Sequence, residues 1–139
     1  MADFIILPAI ISGLVIGIYE AILIHRDVTV PTHRFGHMIH ALVIAVIATF
    51  ITFNVPFTLS LFPFLANIPV LGSVLGVRIL VGFIMLVKIH GTSAALKSTG
   101  TSTAGLAETW THSFIVAVLT IIAPYIWPFI APLLPAVLG

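Results

Sequence analysis

The chain contains no cysteine. Disulfides, thiolate metal sites and cysteine nucleophiles are therefore excluded together. Charge is almost as scarce: 139 residues carry five Lys or Arg and four Asp or Glu, 6% of the chain. A soluble domain carries about 25%, so this chain has too few charged groups to keep its surface in water. A formal net charge of +1 gives no electrostatic footprint for nucleic acid. Lipidation signals and internal repeats are also missing.

What is present is apolar surface. Hydrophobic residues make up 60% of the sequence and the mean hydropathy is +1.30. Crossing roughly 30 Å of hydrocarbon takes about 20 apolar residues per helix. The sequence offers four such runs, at about residues 4–24, 37–55, 69–89 and 107–127. The expected fold is an all-α integral membrane four-helix bundle, one transmembrane domain with short loops and the lipid bilayer as its first partner. Pro128, Pro132 and Pro135 predict an irregular, interfacial C-terminal tail. The first run follows Asp3 without a Lys or Arg, and no small-x-small cleavage pattern comes after it. It reads as a retained helix. Trp110 and Trp127 are spaced about 25 Å apart along a helix, close to the separation of two membrane interfaces.

The few basic residues set the expected orientation. Arg26 and Arg34 lie between the first and second runs, and Lys88 and Lys97 at or in the connection between the third and fourth. The turn between the second and third runs has neither Lys nor Arg. Both basic loops fall on one side, so the positive-inside rule predicts both termini outside, in a multi-pass protein of the cell membrane.

That topology gathers the polar chemistry at one end. His33, His37 and His40 share an arc of roughly 60° on one helix face, and the same face continues through Ile44, Ile47 and Ile51 to Asn54 as an expected packing seam. His25, His90 and His112 fall on the same side of the bundle, with Glu20, Asp27 and Glu108. Glu20 shares a face with the Gly13-x-x-x-Gly17 pair, so it is expected to point into protein. Glu108 and His112, spaced i, i+4, share a face. His25 and His33 read as interfacial residues, and His90, beside Gly91, as a helix C-cap. Glu20, His37, His40, Glu108 and His112 are the candidate metal or proton ligands, because imidazole and carboxylate suit Zn, Fe or Cu and imidazole titrates near neutral pH.

The His33-x3-His37-x2-His40 pattern resembles one histidine box of the membrane desaturase and hydroxylase type. Those enzymes carry several boxes and many more histidines. Glu108-x3-His112 is one residue longer than the Glu-x-x-His of di-iron bundles. No family is assigned on these fragments.

Arg78 is the most costly residue to place in lipid, at about 2.5–3.5 kcal/mol near the bilayer middle. With the third run starting at 69 it is expected mid-membrane, with Asn54 matched in depth as a hydrogen-bond partner. Its face is roughly 140° from that of Gly72 and Gly76, so both faces of the third helix call for protein or water. That predicts a homo-oligomer or a complex with another membrane protein. Three functions fit these features. The first is a channel or transporter for ions, protons or metal cations, with Arg78 and Asn54 along its path. The second is a non-catalytic subunit of a larger membrane complex. The third, a His/Glu metalloenzyme, ranks last because no nucleophile or cofactor motif accompanies the ligands.

Overall fold

A computed structural model describes residues 4–27, 31–98 and 110–135, and their side chains except at 27, 31–34 and 92–98. Six α-helices follow in order: α1 (Leu7–Asp27), α2 (Pro31–Phe53), α3 (Val55–Leu61), α4 (Pro63–Ala66), α5 (Val74–Ser98) and α6 (Trp110–Ile130). A 3-10 turn at Ala131–Leu133 closes the described chain. No strand occurs among the described residues. Four helices, α1, α2, α5 and α6, are long and apolar enough to cross a membrane, which defines an integral membrane protein.

The most extensive contact joins α1 to α2, and the second joins α5 to α6. Small residues make the first possible. A Cβ on Gly13 would stand 2.5 Å from the Val46 Cα and from the Thr49 Oγ1, and one on Gly17 would stand 2.8 Å from the Leu42 Cα. Backbone thus meets backbone, and the Thr49 hydroxyl reaches the Ala9 carbonyl of α1 at 2.9 Å. Without a hydrophobic drive between helices in lipid, close van der Waals contact and such hydrogen bonds hold the pair. Against these glycines α2 presents Leu42, Ala45, Val46 and Thr49, and Ala41, Ala45, Ala48, Thr49 and Thr52 are buried along the helix.

The seam expected through Ile44, Ile47 and Ile51 to Asn54 holds in part: Ile44 and Ile51 pack against the core and Asn54 is buried. Ile47 is 50% exposed, turned outward with Val43 and Ile39. The small side chains allow the closer approach, so they occupy the most buried positions, while Ile44 and Ile51 pack at the margin of the core.

α6 joins the two pairs, burying Ser113, Val116, Ala117, Thr120 and Ala123 along one face. Phe53 at the end of α2 meets Trp127 edge to face, with ring centroids 6.4 Å apart. On α5, Gly82 lets the Ile121 side chain and the Ala117 carbonyl come close. Among the described residues α1 and α5 do not pack on each other directly.

Several boundaries differ from those read in the sequence. Residues 4–6 are not helical; the Asn54 side chain holds them, accepting from the Ile5 N–H at 2.8 Å and donating to the Ile5 carbonyl at 3.1 Å. α5 begins at Val74 and not at Pro69. The chain first turns through Val70, at φ 73°, and Ser73 caps the helix by accepting the Gly76 N–H at 2.9 Å. The Gly72/Gly76 pair serves that turn: a Cβ on Gly76 would collide with the Val70 carbonyl and one on Gly72 with that of Ala66. One of the two faces that called for a second protein is thus covered by the chain's own loop. α5 also runs past His90 and Gly91 to Ser98, and α6 continues through Pro124 and Pro128. The prolines shift the end of regular helix only to Ile130, because lipid offers the backbone no alternative partner.

Gly17→Leu should lower the thermal midpoint of the purified protein, by the equivalent of about 1–3 kcal/mol for overpacking. Gly36→Ala, where an added Cβ meets nothing within 4 Å, should leave the midpoint unchanged or raise it. Equal effects of the two would refute backbone contact at Gly17.

Candidate functional site: two polar cavities at opposite ends of the bundle

Glu20 lies on the glycine face of α1, one turn beyond Gly17, and is 4% exposed. It lines a cavity of about 160 Å³ with Ile24 of α1, His37, His40 and Ala41 of α2, and Lys88 and Ile89 of α5. A buried water needs about 10–15 Å³ of such space, so the cavity has room for several. Oε2 of Glu20 is buried with no hydrogen-bond partner among the described residues. Lys88 is near enough for its positive charge to act on the carboxylate. Three helices thus bring one carboxylate, two imidazoles and one ammonium to a single space. His37 is half-buried and His40 exposed, so the cavity grades from a protein-enclosed carboxylate to solvent-reaching imidazoles.

The other expected ligands do not line this cavity. His112 is 2% exposed, on the first turn of α6 at the same end of the bundle. Glu108 and the His33 side chain lie outside the described residues. His90 sits inside α5, not at its cap, and stacks on Trp110 with centroids 3.5 Å apart. Among the described residues, no three His, Asp or Glu side chains group closely enough to hold a metal ion. A Zn, Fe or Cu site would need Glu108 or another donor from beyond them, and would place the metal's charge near Lys88.

Lys88 is the member that the sequence reading missed. The sequence places it at the end of the third run, at or in the connection to the fourth, and it falls inside the apolar stretch Val74–Gly91; that position was the available signal.

The second cavity, about 270 Å³, lies at the other end. It is walled by Phe4, Ile5, Phe53, Asn54, Val55, Pro56, Phe57, Val74 and Arg78. Arg78 and Asn54, expected at one depth, do share this space. Its depth differs from expectation: Arg78 is four residues into α5, about 6 Å from the helix start, so it sits near one end of the span. Its partner is not Asn54. Nε of Arg78 donates to the Thr52 carbonyl at 2.9 Å. That carbonyl would ordinarily accept from residue 56, which is proline and has no N–H. Pro56 frees an acceptor and Arg78 fills it. The guanidinium carbon stands 4.5 Å over the Tyr125 ring, a cation–π contact from α6. Asn54 is fully engaged elsewhere, with Nδ2 also donating to the Phe50 carbonyl at 2.9 Å.

Comparison with family models, curated proteins and solved structures returns no match, so the functional argument rests on the chain's own chemistry.

A double-mutant cycle in thermal or denaturant unfolding, using Glu20→Gln and Lys88→Met, should give a coupling energy of about 0.5–3 kcal/mol, the range for contacting residues. Strict additivity would show that Lys88 does not act on Glu20.

Proposed function

We propose that the protein is a small membrane transporter that handles protons through the Glu20 cavity. The observation that carries this reading is the Glu20 carboxylate itself, an acid enclosed among transmembrane helices beside water-sized space, with one oxygen left unbonded. Ionisable side chains inside a membrane are expensive and mark ion or proton pathways. A neutral imidazole can both accept and donate a proton, so His40 and His37 form a graded entry from the loop side to the carboxylate. Lys88 opposes any added cation at Glu20, and a divalent metal brings more charge against the ammonium than a single proton does.

The core beyond Glu20 favours a gated device over an open pore. Ala45, Ala48 and Val116 are buried, and the Thr49, Thr52 and Thr120 hydroxyls donate to backbone carbonyls. Protons reaching Glu20 then pass on only when helices shift, as in alternating access. By the positive-inside rule the histidine cavity faces the cytoplasm. A homo-oligomer or a partner subunit remains compatible with the wide apolar surfaces of α2 and α5.

Purified protein reconstituted into liposomes with an enclosed pH indicator should dissipate an imposed pH gradient. Glu20→Gln should slow that flux at least tenfold, and His37→Ala less severely. Flux absent from the wild type, or unchanged in Glu20→Gln, overturns the reading.

A further inference from the structure

The Arg78 cavity is separate from the proton-handling space, with Arg78 about 15 Å before Lys88 along α5 by helix rise. Its geometry fixes the arginine and leaves part of its donor set uncommitted among the described residues. The guanidinium is fixed in two ways: Nε is committed to the Thr52 carbonyl, and the ring of Tyr125 supports its face. Its two terminal amino groups, with four N–H donors, have no acceptor among the described residues. Among side chains, the rest of the wall supplies none. Asn54 spends its amide on Ile5 and Phe50, and the remaining residues are apolar.

We propose that this cavity is an oxyanion site that takes a phosphate group, with Arg78 as the bidentate donor. The planar guanidinium fork matches two oxygens of a phosphate. The positive end of the α5 dipole, one turn away, adds to the attraction. Depth also fits: about 6 Å inside the helix start, Arg78 can meet a phosphate at the membrane surface, while Phe4, Phe57 and Val74 offer apolar contact to an acyl chain. The phosphate therefore comes either from a phospholipid head group or from free solution.

The test measures binding to the full-length detergent-solubilised protein by native mass spectrometry and by the shift in its thermal midpoint. The probes are phosphatidylglycerol, inorganic phosphate and diacylglycerol. Phosphatidylglycerol should bind saturably, at least tenfold tighter than diacylglycerol, and Arg78→Gln should weaken it about tenfold, equivalent to about 1.4 kcal/mol. Arg78→Lys keeps a charge and a donor for Thr52 but lacks the fork, so it should fold and still bind several-fold more weakly. Phosphatidylglycerol binding without phosphate binding assigns a lipid site; Arg78-dependent binding of both assigns a general oxyanion site. Equal binding of phosphatidylglycerol and diacylglycerol without Arg78-dependent phosphate binding overturns the proposal, as does retention of wild-type affinity in both variants. Asp3 lies outside the described residues, so Asp3→Asn is measured too. Binding that appears only in that variant identifies Asp3 as the occupant and overturns the phosphate site.

Discussion

The approach of α1 to α2 at Gly13 and Gly17 is the contact on which the other features depend. Between helices in lipid there is no hydrophobic drive, so attraction comes from dispersion at short range and from hydrogen bonds. Two glycines remove the side chains that would hold the helices apart, and the Thr49 hydroxyl then reaches across to the Ala9 carbonyl. Because Glu20 follows Gly17 on the same face, the contact also determines where the carboxylate goes. It is carried into the bundle and away from lipid, and α5 supplies the neighbouring charge. The polar cavity is thus a consequence of small-residue packing one turn away.

A second constraint shapes the opposite end. In a membrane every backbone carbonyl needs a partner from the protein, and Pro56 deprives Thr52 of its usual helical donor. The arginine side chain supplies the missing hydrogen. One helix, α5, therefore carries both charges that organise the molecule, Arg78 near its start and Lys88 near the far end of its span. Each faces a different cavity, and the apolar core between them stays closed. This separation lets proton handling and anion binding be assigned to different groups.

The helical class, the four spans and the inward position of Glu20 were legible because they follow from run length and from the Gly13/Gly17/Glu20 spacing. The packing face of α2 was legible only in part, since Ile44 and Ile51 do pack against the core and Ile47 does not. Regular four- and three-residue steps pointed to Ile44, Ile47 and Ile51, while closeness of approach favoured the alanines and threonines beside them. The start of α5 was misplaced because Pro69 looks like a first-turn proline, whereas Ser73, directly before the apolar run, is the working cap. That shift of five residues moved Arg78 from mid-membrane to the end of a span. The Arg78–Thr52 bond depends on a carbonyl released by a proline 22 residues earlier, which no local pattern in the third run signals. Of the expected ligands, Glu20, His37 and His40 share one cavity; His112 is buried apart from it, and Glu108 lies outside the described residues.

The central claim is that the Glu20 cavity is hydrated and open toward the loop that joins α1 and α2. The absence of native cysteine makes this directly measurable, since any introduced thiol is the only one in the chain. Single variants Ala41→Cys and Ile89→Cys place a thiol on the cavity wall, and Val43→Cys and Phe83→Cys place one on the outer surface. Labelling in oriented membrane vesicles with a charged, membrane-impermeant maleimide should modify the cavity pair, only from the side of the basic loops, and much faster than the outer pair. Cavity thiols that react no faster than Val43→Cys, or only from the opposite side, would contradict a water-filled proton entry at Glu20.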